Sequence, residues 1–512
     1  MAFHALEIDA WNGAAVETLR FADRTFVTPA PANLTYLGVI ADLGSFEASI
    51  FDGGGTLGAP TSSLGSIVLD NVDGALDRYL DYGFDGRAYR LYRLREGAES
   101  LAGATLLASG LLAGIDTGDA LNELRLRLRD ARAALETPLL TARYAGTTTD
   151  GTIRTFQGDE TLKDQIVPIV YGGATNMLPK LVNRFHQVWQ VSGGAVASIK
   201  VHDGGVPLDL IGDYPTPEAL LSADFAAEAV QNYATCLAHG LFRLDDAAEA
   251  QITADVLEYA DVARRRVGSI TGRILQRGGA VNVDTASLAA LDATAPAEIE
   301  LLIDDERDVL QAAADALASI GAALIADVSG RLSAIRIAAP SGQPVATFGA
   351  RQIEEVGSIA LAKGPSTEGE GVPAREIELT WGRVWQVQAE GDLAGAVTEE
   401  RRAYVKEASR KVVAESAAVR LAHPLAPKLT FETLLTSLAA ATAEVQRRLA
   451  IYSRRRDYLS VTLAERDAEA VRIGDIVRIA LPRFGWDAGK LFLVVGRGRD
   501  FTRRTITLSL WG

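Results

Sequence analysis

The residues able to do chemistry are few and scattered. Five histidines occur, His4, His186, His202, His239 and His423, and no two stand at the i, i+3 or i, i+4 spacing that would put two metal ligands on one helix face. A histidine-based active site would need partners that only the fold could bring together. Cys236 is the single cysteine, which excludes an intrachain disulfide and a cysteine-ligated zinc or iron–sulfur site. It reads as a small buried hydrophobe. Gly53-Gly54-Gly55-Thr56-Leu57-Gly58 fits the spacing of a dinucleotide-binding loop. That fingerprint also needs a helix opening in the motif and an acidic residue about twenty positions on. Ala59-Pro60-Thr61-Ser62-Ser63 follows instead, and Asp73 falls in a turn, so the stretch reads as a loop. His202-Asp203 could be half of an acid–base pair, but Gly204-Gly205 comes next, and the four residues read as a strand-to-turn corner. Asp245-Asp246 and Asp304-Asp305 would serve a glycosidase only if they faced other carboxylates across a cleft; alone they read as solvated charge. Trp189, Trp381 and Trp385 are the candidate sugar platforms, with core packing as the plainer reading. P-loop, zinc-protease and nucleophile-elbow motifs do not occur. The census therefore predicts no catalytic, cofactor-binding or metal residues, no cofactor and no enzyme.

The chain has 512 residues, of which 48% are hydrophobic, enough for several packed cores. Its net charge of −15 argues against a general nucleic-acid binder and favours solubility. The opening MAFHALEIDAWNG has neither a basic start nor a long apolar run, so it does not read as a signal peptide. No apolar run reaches the roughly 18 residues of a membrane span.

The elements that would position any site are mostly strands. Ala5–Ile8, Glu17–Phe21, Leu34–Ile40, Phe46–Phe51, Gly65–Leu69, Ala88–Leu94, Leu106–Leu112 and Leu124–Leu128 have strand character. The last lies in ELRLRLRD, a half-buried strand with a charged outer face, for which a nucleic-acid stripe is the weaker alternative. Asp70-Asn71-Val72-Asp73-Gly74 is turn chemistry leading into a short helical segment, Ala75–Asp81. Residues 131–260 alternate short strands (Ile166–Tyr171, Val188–Val191, Ala197–His202) with Gly- and Pro-rich loops, and Thr216 should cap a helix over Pro217–Ala223. From 261 the pattern turns to mixed α/β. Arg264–Gln276 is helix-compatible, and Asp304–Ile320 predicts an amphipathic helix with acids in its first turn. A hairpin, Ala323–Val328 with Leu332–Ile337, turns at Ser329-Gly330. Residues 361–376 read as a linker, Ile377–Val387 as strand, and Phe431–Arg455 as a long helix with Leu434, Leu438, Val445, Leu449 and Tyr452 on one face. Its basic end suits the helix dipole, or a partner-binding patch. From Val471 onward short apolar runs mark strands, and Trp511 should dock the end of the last one.

Several of these stretches together resemble the baseplate hub, or tail-tip, proteins of bacteriophages and prophages with long, non-contractile tails. They are GSIVLDNVDGALDRYLDYGFDGRAYRLYRL (Gly65–Leu94), QIVPIVYGG with VWQVSGGAVASIKVHDGGVPL, QNYATCLAHGLFRL (Gln231–Leu244), and the closing IGDIVRIALPRFGWDAGKLFLVVG…ITLSLWG. The resemblance covers most of the chain in family order and carries no catalytic signature. It implies a predominantly β, α+β, multidomain chain with two tube-like β-barrel or sheet domains plus inserted β-rich and mixed α/β modules. The divisions expected are 1–140, a first tube-like domain; 141–260, an inserted β-rich module; 261–360, a mixed α/β module; 361–430, a linker with connecting elements; and 431–512, a long helix and closing β module. It further implies a homotrimeric ring at the distal end of a virion tail, made in the host cytoplasm. The implied partners are the distal tail protein, the tape measure protein and a central spike or fibre protein, with DNA only as transiting cargo. A carbohydrate-active enzyme on a β-scaffold, or a tail-tip receptor-binding protein, are the alternatives.

Overall fold

The computed structural model describes residues 2–51, 60–117, 122–225, 232–361 and 372–512. The Gly53–Gly58 motif and most of the 361–376 stretch lie outside the described residues. The fold is α+β, predominantly β, with several sheets and separate apolar cores.

A nine-stranded sheet carries the N-terminal part. Its spatial order is Phe26–Thr28, Leu34–Gly38, Val16–Ala22, Phe3–Trp11, Ala88–Leu94, Thr105–Asp116, Glu123–Arg129, Ser66–Asp70, Ile40–Asp42. Alternation along each strand decides which face is buried. Leu124, Leu126 and Leu128 enter a core with Leu6, Ile8, Leu91 and Leu112. Arg125, Arg127 and Arg129 take the opposite face and pair with Glu123, Asp116 and Glu136. The turn after Ser66–Asp70 is built by Asn71, whose Oδ1 accepts from the Leu76 amide at 2.9 Å and whose Nδ2 donates to Asp77 at 2.7 Å. Gly74 supplies the positive φ, 68°, that the turn requires. The helical segment that follows is a 3₁₀ turn, Asp77–Asp81.

The second large sheet is C-terminal. Ala346–Gly349, Ile476–Ala480, Lys490–Asp500, Thr505–Trp511, Asp457–Ala464 and Ile353–Leu361 lie side by side in that order. One face packs Val461, Phe492, Val494, Leu508 and Trp486. The other packs Leu493, Val495 and Trp511 against Ile325, Ile337 and Ile451, so this sheet is buried on both sides. Trp511 is fully buried between Tyr458 and Leu493 on neighbouring strands, with the Arg456 guanidinium 4.8 Å from its ring centre.

The rest of the chain forms smaller sheets. Gly173–Met177, Ile252–Leu257, Ser198–Asp203 and Val206–Pro207 form one; Lys180–Asn183, Val188–Gln190, Leu241–Leu244, Asn232–Cys236 and Asp209–Asp213 form another. Ile169–Tyr171 pairs with Leu301–Ile303. Helices Val267–Arg277, Thr285–Thr294 and Val309–Ala318 pack with the hairpin Ala322–Ala326 and Leu332–Arg336 in one large apolar cluster. A three-stranded sheet, Arg410–Glu415, Glu376–Trp381 and Lys428–Phe431, shares a core with the helix Leu438–Tyr452.

Two helices begin later than the apolar periodicity predicts, and the caps explain both. Asp308 Oδ1 accepts from the Gln311 amide at 2.6 Å, so the helix opens at Val309 and not at Asp304. Ser437 caps the long helix at Ala440, so it opens at Leu438; Lys428–Phe431 before it is a strand. Leu434 consequently lies outside the helix and packs on the neighbouring helical core, and Leu438 is 54% exposed, leaving Val445, Leu449 and Tyr452 as the part of the expected stripe that packs from the helix itself. Thr216 caps Pro217–Leu221 as its sequence predicts.

Candidate functional site

The feature with the clearest organising role is a seam between the two large sheets. Ser45–Ser49 follows Ile40–Asp42 of the nine-stranded sheet but leaves that sheet to pair antiparallel with Lys490–Asp500, Ser49 opposite Gly496 and Ser45 opposite Asp500, while Phe46 stays in the N-terminal core. Ile476–Ala480 pairs with the first part of that same strand, from Lys490 to Leu493. One edge of Lys490–Asp500 is therefore covered end to end by two strands drawn from opposite parts of the sequence. An edge left open would be a template for uncontrolled pairing. Side chains tighten the join. Phe501 belongs to the N-terminal core and meets Phe46 edge-to-face at 5.0 Å. Glu465, on the C-terminal side, accepts from Arg93 of the N-terminal sheet at 3.0 Å and also pairs with the buried Arg499.

A second cluster ties the sheets of residues 173–257 to residues 386–401. Arg401 donates from Nη1 to Asp255 at 2.9 Å and from Nη2 to Asn176 Oδ1 at 2.7 Å. The Asn176 amide donates to Asp255 at 2.7 Å, and its side chain reaches the Gln386 carbonyl. His202 joins this group: Nδ1 lies 3.5 Å from Arg401 and Nε2 lies 3.8 Å from Asp255. Burial, then the Arg401 and Lys200 cations, push its imidazole down to about 4, against the pull of Asp255. Glu300 accepts from the Thr175 amide and hydroxyl, both at 3.0 Å. Burial pushes its carboxyl up to about 7, with Asp255 and Glu298 adding to the rise and the Thr175 bonds opposing it. His202 is thus a neutral structural histidine at pH 7. Its neighbour Asp203 accepts from the Glu249 and Ala250 amides, both at 2.8 Å, and holds a turn.

The other chemical candidates also fall into packing and turn roles. Cys236 is buried and free. Asp245 accepts from the Asn232 amide, Asp246 from the Ala247 amide, and Asp305 pairs with Arg307. Trp189 stacks parallel to Phe242 at 6.3 Å, and Trp381 packs on the helical core. Trp385, with Arg383 4.2 Å above its ring, lines a cleft of about 660 Å³ beside Arg307, Asp315 and Glu432. Asp315 in that cleft is already bound by Arg307 at 2.8 Å. The basic stretch at the end of the long helix is only partly spent inward, because Arg454 and Arg455 stay exposed, with Arg455 3.9 Å from Asp457. Arg447 and Arg448 converge with Arg336 on the buried Glu444, and Arg456 covers Trp511. Among the described residues no group of His, Cys, Asp and Glu could hold a metal ion, and no helix is long and apolar enough to cross a membrane.

No protein-family model and no curated protein matches the chain. Similar solved structures include tail proteins. A tail protein from Neisseria meningitidis MC58 is similar at 11% identity and a TM-score of 0.40, over 99% of this chain and 96% of that one. A 43 kDa tail protein of prophage MuSo2 from Shewanella oneidensis is similar at 9% identity and a TM-score of 0.39, over 99% and 98%. A chain of the native gene transfer agent virion is similar at 15% identity and a TM-score of 0.42, over 68% and 84%. At such identities and TM-scores no residue role passes from these proteins to this chain.

Proposed function

We propose that the protein is a structural baseplate hub of a phage tail tip, three copies of which close a ring that continues the tail tube. The observation that carries the reading is the seam. One chain holds two large sheets, and Ser45–Ser49 together with Phe46, Phe501 and Glu465 fixes them to each other. A subunit with two rigidly joined tube-like halves gives pseudo-six-fold symmetry from three copies. The N-terminal sequence pattern of strand, Asn-x-Asp-Gly turn and short helix, on which the family resemblance rests, sits in the first of these sheets. In this reading the distal tail protein meets one end of the ring, a spike or fibre the other, and the tape measure protein and then DNA pass through the lumen. The virion tail is its location, and it performs no catalysis.

The test is the mass and symmetry of the purified protein, alone and with a tail-tube partner, by light scattering and electron microscopy. Three-copy rings with a central channel are expected. A stable monomer that cleaves peptidoglycan or another glycan at the Trp385 cleft would overturn the reading.

A further inference from the structure

A cavity of about 580 Å³ opens where the helix Thr285–Thr294, the hairpin Ala322–Ala326 and Leu332–Arg336, and the C-terminal sheet meet. Its apolar wall includes Leu291, Ile325, Ile335 and Ile473. Its charged groups are Arg331, Arg336, Arg472, Arg497, Asp284, Asp327 and Asp475. Most are already committed. Arg331 pairs with Asp284 at 2.8 Å, and Arg336 with Glu444 at 2.7 Å. Asp327 accepts from the Ser329 and Arg331 amides, and Asp475 accepts from the Arg472 amide.

Arg497 is the exception. It is 6% exposed, and its buried Nε and Nη2 have no hydrogen-bond partner. Burial, with Arg499 and Arg472 near it, lowers its guanidinium to about 10 against the weaker pull of the Glu469 and Asp327 carboxylates, which still leaves it charged at neutral pH. A buried, unpaired cation is costly unless something supplies the missing charge. Nε–H and Nη2–H project from one edge of the guanidinium, the edge that matches the two oxygens of a carboxylate. A phosphate dianion fits worse, because Asp284, Asp327 and Asp475 surround the site and Arg331 and Arg336 are taken.

We propose that this cavity binds a carboxylate carried on an apolar body, with Arg497 as its counter-ion. The proposal stands on Arg497 and the cavity, independently of the tail-hub reading. The carboxylate can come from a free small acid or from an Asp or Glu side chain of a second copy of the chain. The probe is hexanoate, with neutral hexanamide as control, titrated by calorimetry and by thermal melting into the full chain. Hexanoate should bind saturably and raise the melting temperature while hexanamide does neither. Arg497→Met should weaken hexanoate at least tenfold (about 1.4 kcal/mol) while its own melting temperature stays level or rises. Ala290→Trp, from an exposed position at the cavity wall, should block hexanoate without touching the arginine. Self-association then separates the sources. If a second copy supplies the carboxylate, hexanoate or Arg497→Met shifts the assembly to smaller species; if a free acid does, assembly is unchanged. Equal responses to hexanoate and hexanamide, or full hexanoate binding by Arg497→Met, would overturn the proposal. So would the absence of any hexanoate response together with unaltered assembly of Arg497→Met.

Discussion

His202 and Glu300 share one polar cluster and titrate in opposite senses. The His202 imidazole falls to about 4 in the fold, so between about 4 and 6.5 the unfolded chain binds more protons. Stability from this group is present above 6.5 and is lost as the pH falls through 4. Glu300 rises to about 7, so between about 4.5 and 7 the folded chain binds more protons. Its contribution is present below 4.5 and is lost as the pH rises through 7. The two slopes oppose one another where they overlap, and the wild-type curve should look flat there. Urea midpoints of wild type, His202→Gln and Glu300→Gln between pH 4 and 7.5 separate them. The advantage of wild type over His202→Gln should grow with pH, by up to about 3 kcal/mol across the window. Its advantage over Glu300→Gln should shrink with pH. Three parallel curves would show that neither group is perturbed. This cluster was not legible in the sequence, because Asn176, Asp255, Glu300 and Arg401 are joined only by tertiary contact. What was legible was local: Gly204-Gly205 marked His202-Asp203 as a strand corner, and the structure puts the hairpin turn there.

At the scale of elements, strand alternation and turn residues were readable, whereas the helix starts were not. Apolar spacing carried the expected helices back to Asp304 and Phe431, but a cap overrides periodicity. Asp308 and Ser437 offer their side chains to the orphan amides of the first turn, and the chain before them is free to do something else. The long helix is fixed by a contact whose spacing was in plain sight. Glu444, Arg447 and Arg448 stand at i, i+3 and i, i+4, and Arg336 completes the group. Burial alone would raise the Glu444 carboxyl, but Arg447 and Arg448 outweigh it and hold it at about 2. Glu444→Gln should cost about 3 kcal/mol at pH 7, since it leaves buried guanidiniums short of charge. The folded value lies below the unfolded one, so the loss should fade as the pH drops from about 4.5 toward 2. A variant as stable as wild type by urea titration at pH 7 would mean that the bonds Arg447 donates to the Ile320 and Ile337 carbonyls and Arg448 to the Ala318 carbonyl hold the helix by themselves. Trp511 tests a different core, which the far end of the same helix enters through Ile451. Its fully buried indole packs with Ile325, Ile451 and Val495, so Trp511→Ala should cost about 3–5 kcal/mol and loosen assembly. An unchanged melting profile would show that this contact is dispensable.

For the whole molecule the decisive quantity is the charge that a ring would turn toward its channel. The chain carries 66 acidic and 51 basic residues, and many arginines are already neutralised by neighbours. On the solvent-side face of the nine-stranded sheet Arg20 faces Glu7, Arg90 faces Asp9, Arg125 faces Glu123 and Arg127 faces Asp116. Such a face repeats the ELRLRLRD pattern without offering DNA a row of free cations. If DNA crosses the ring as cargo, phosphates must slide and not stick, which favours a channel with more carboxylates than guanidiniums. Assembled rings should therefore fail to retard double-stranded DNA in a gel even at about 50 mM salt, where a surface contacting six or more phosphates would hold it strongly. A reconstruction of the ring should show acidic side chains outnumbering basic ones along the channel. Salt-sensitive DNA retention, or a channel lined by arginine, would mean that the surface facing DNA grips it, and the passive-conduit reading would fall even if the ring itself were confirmed.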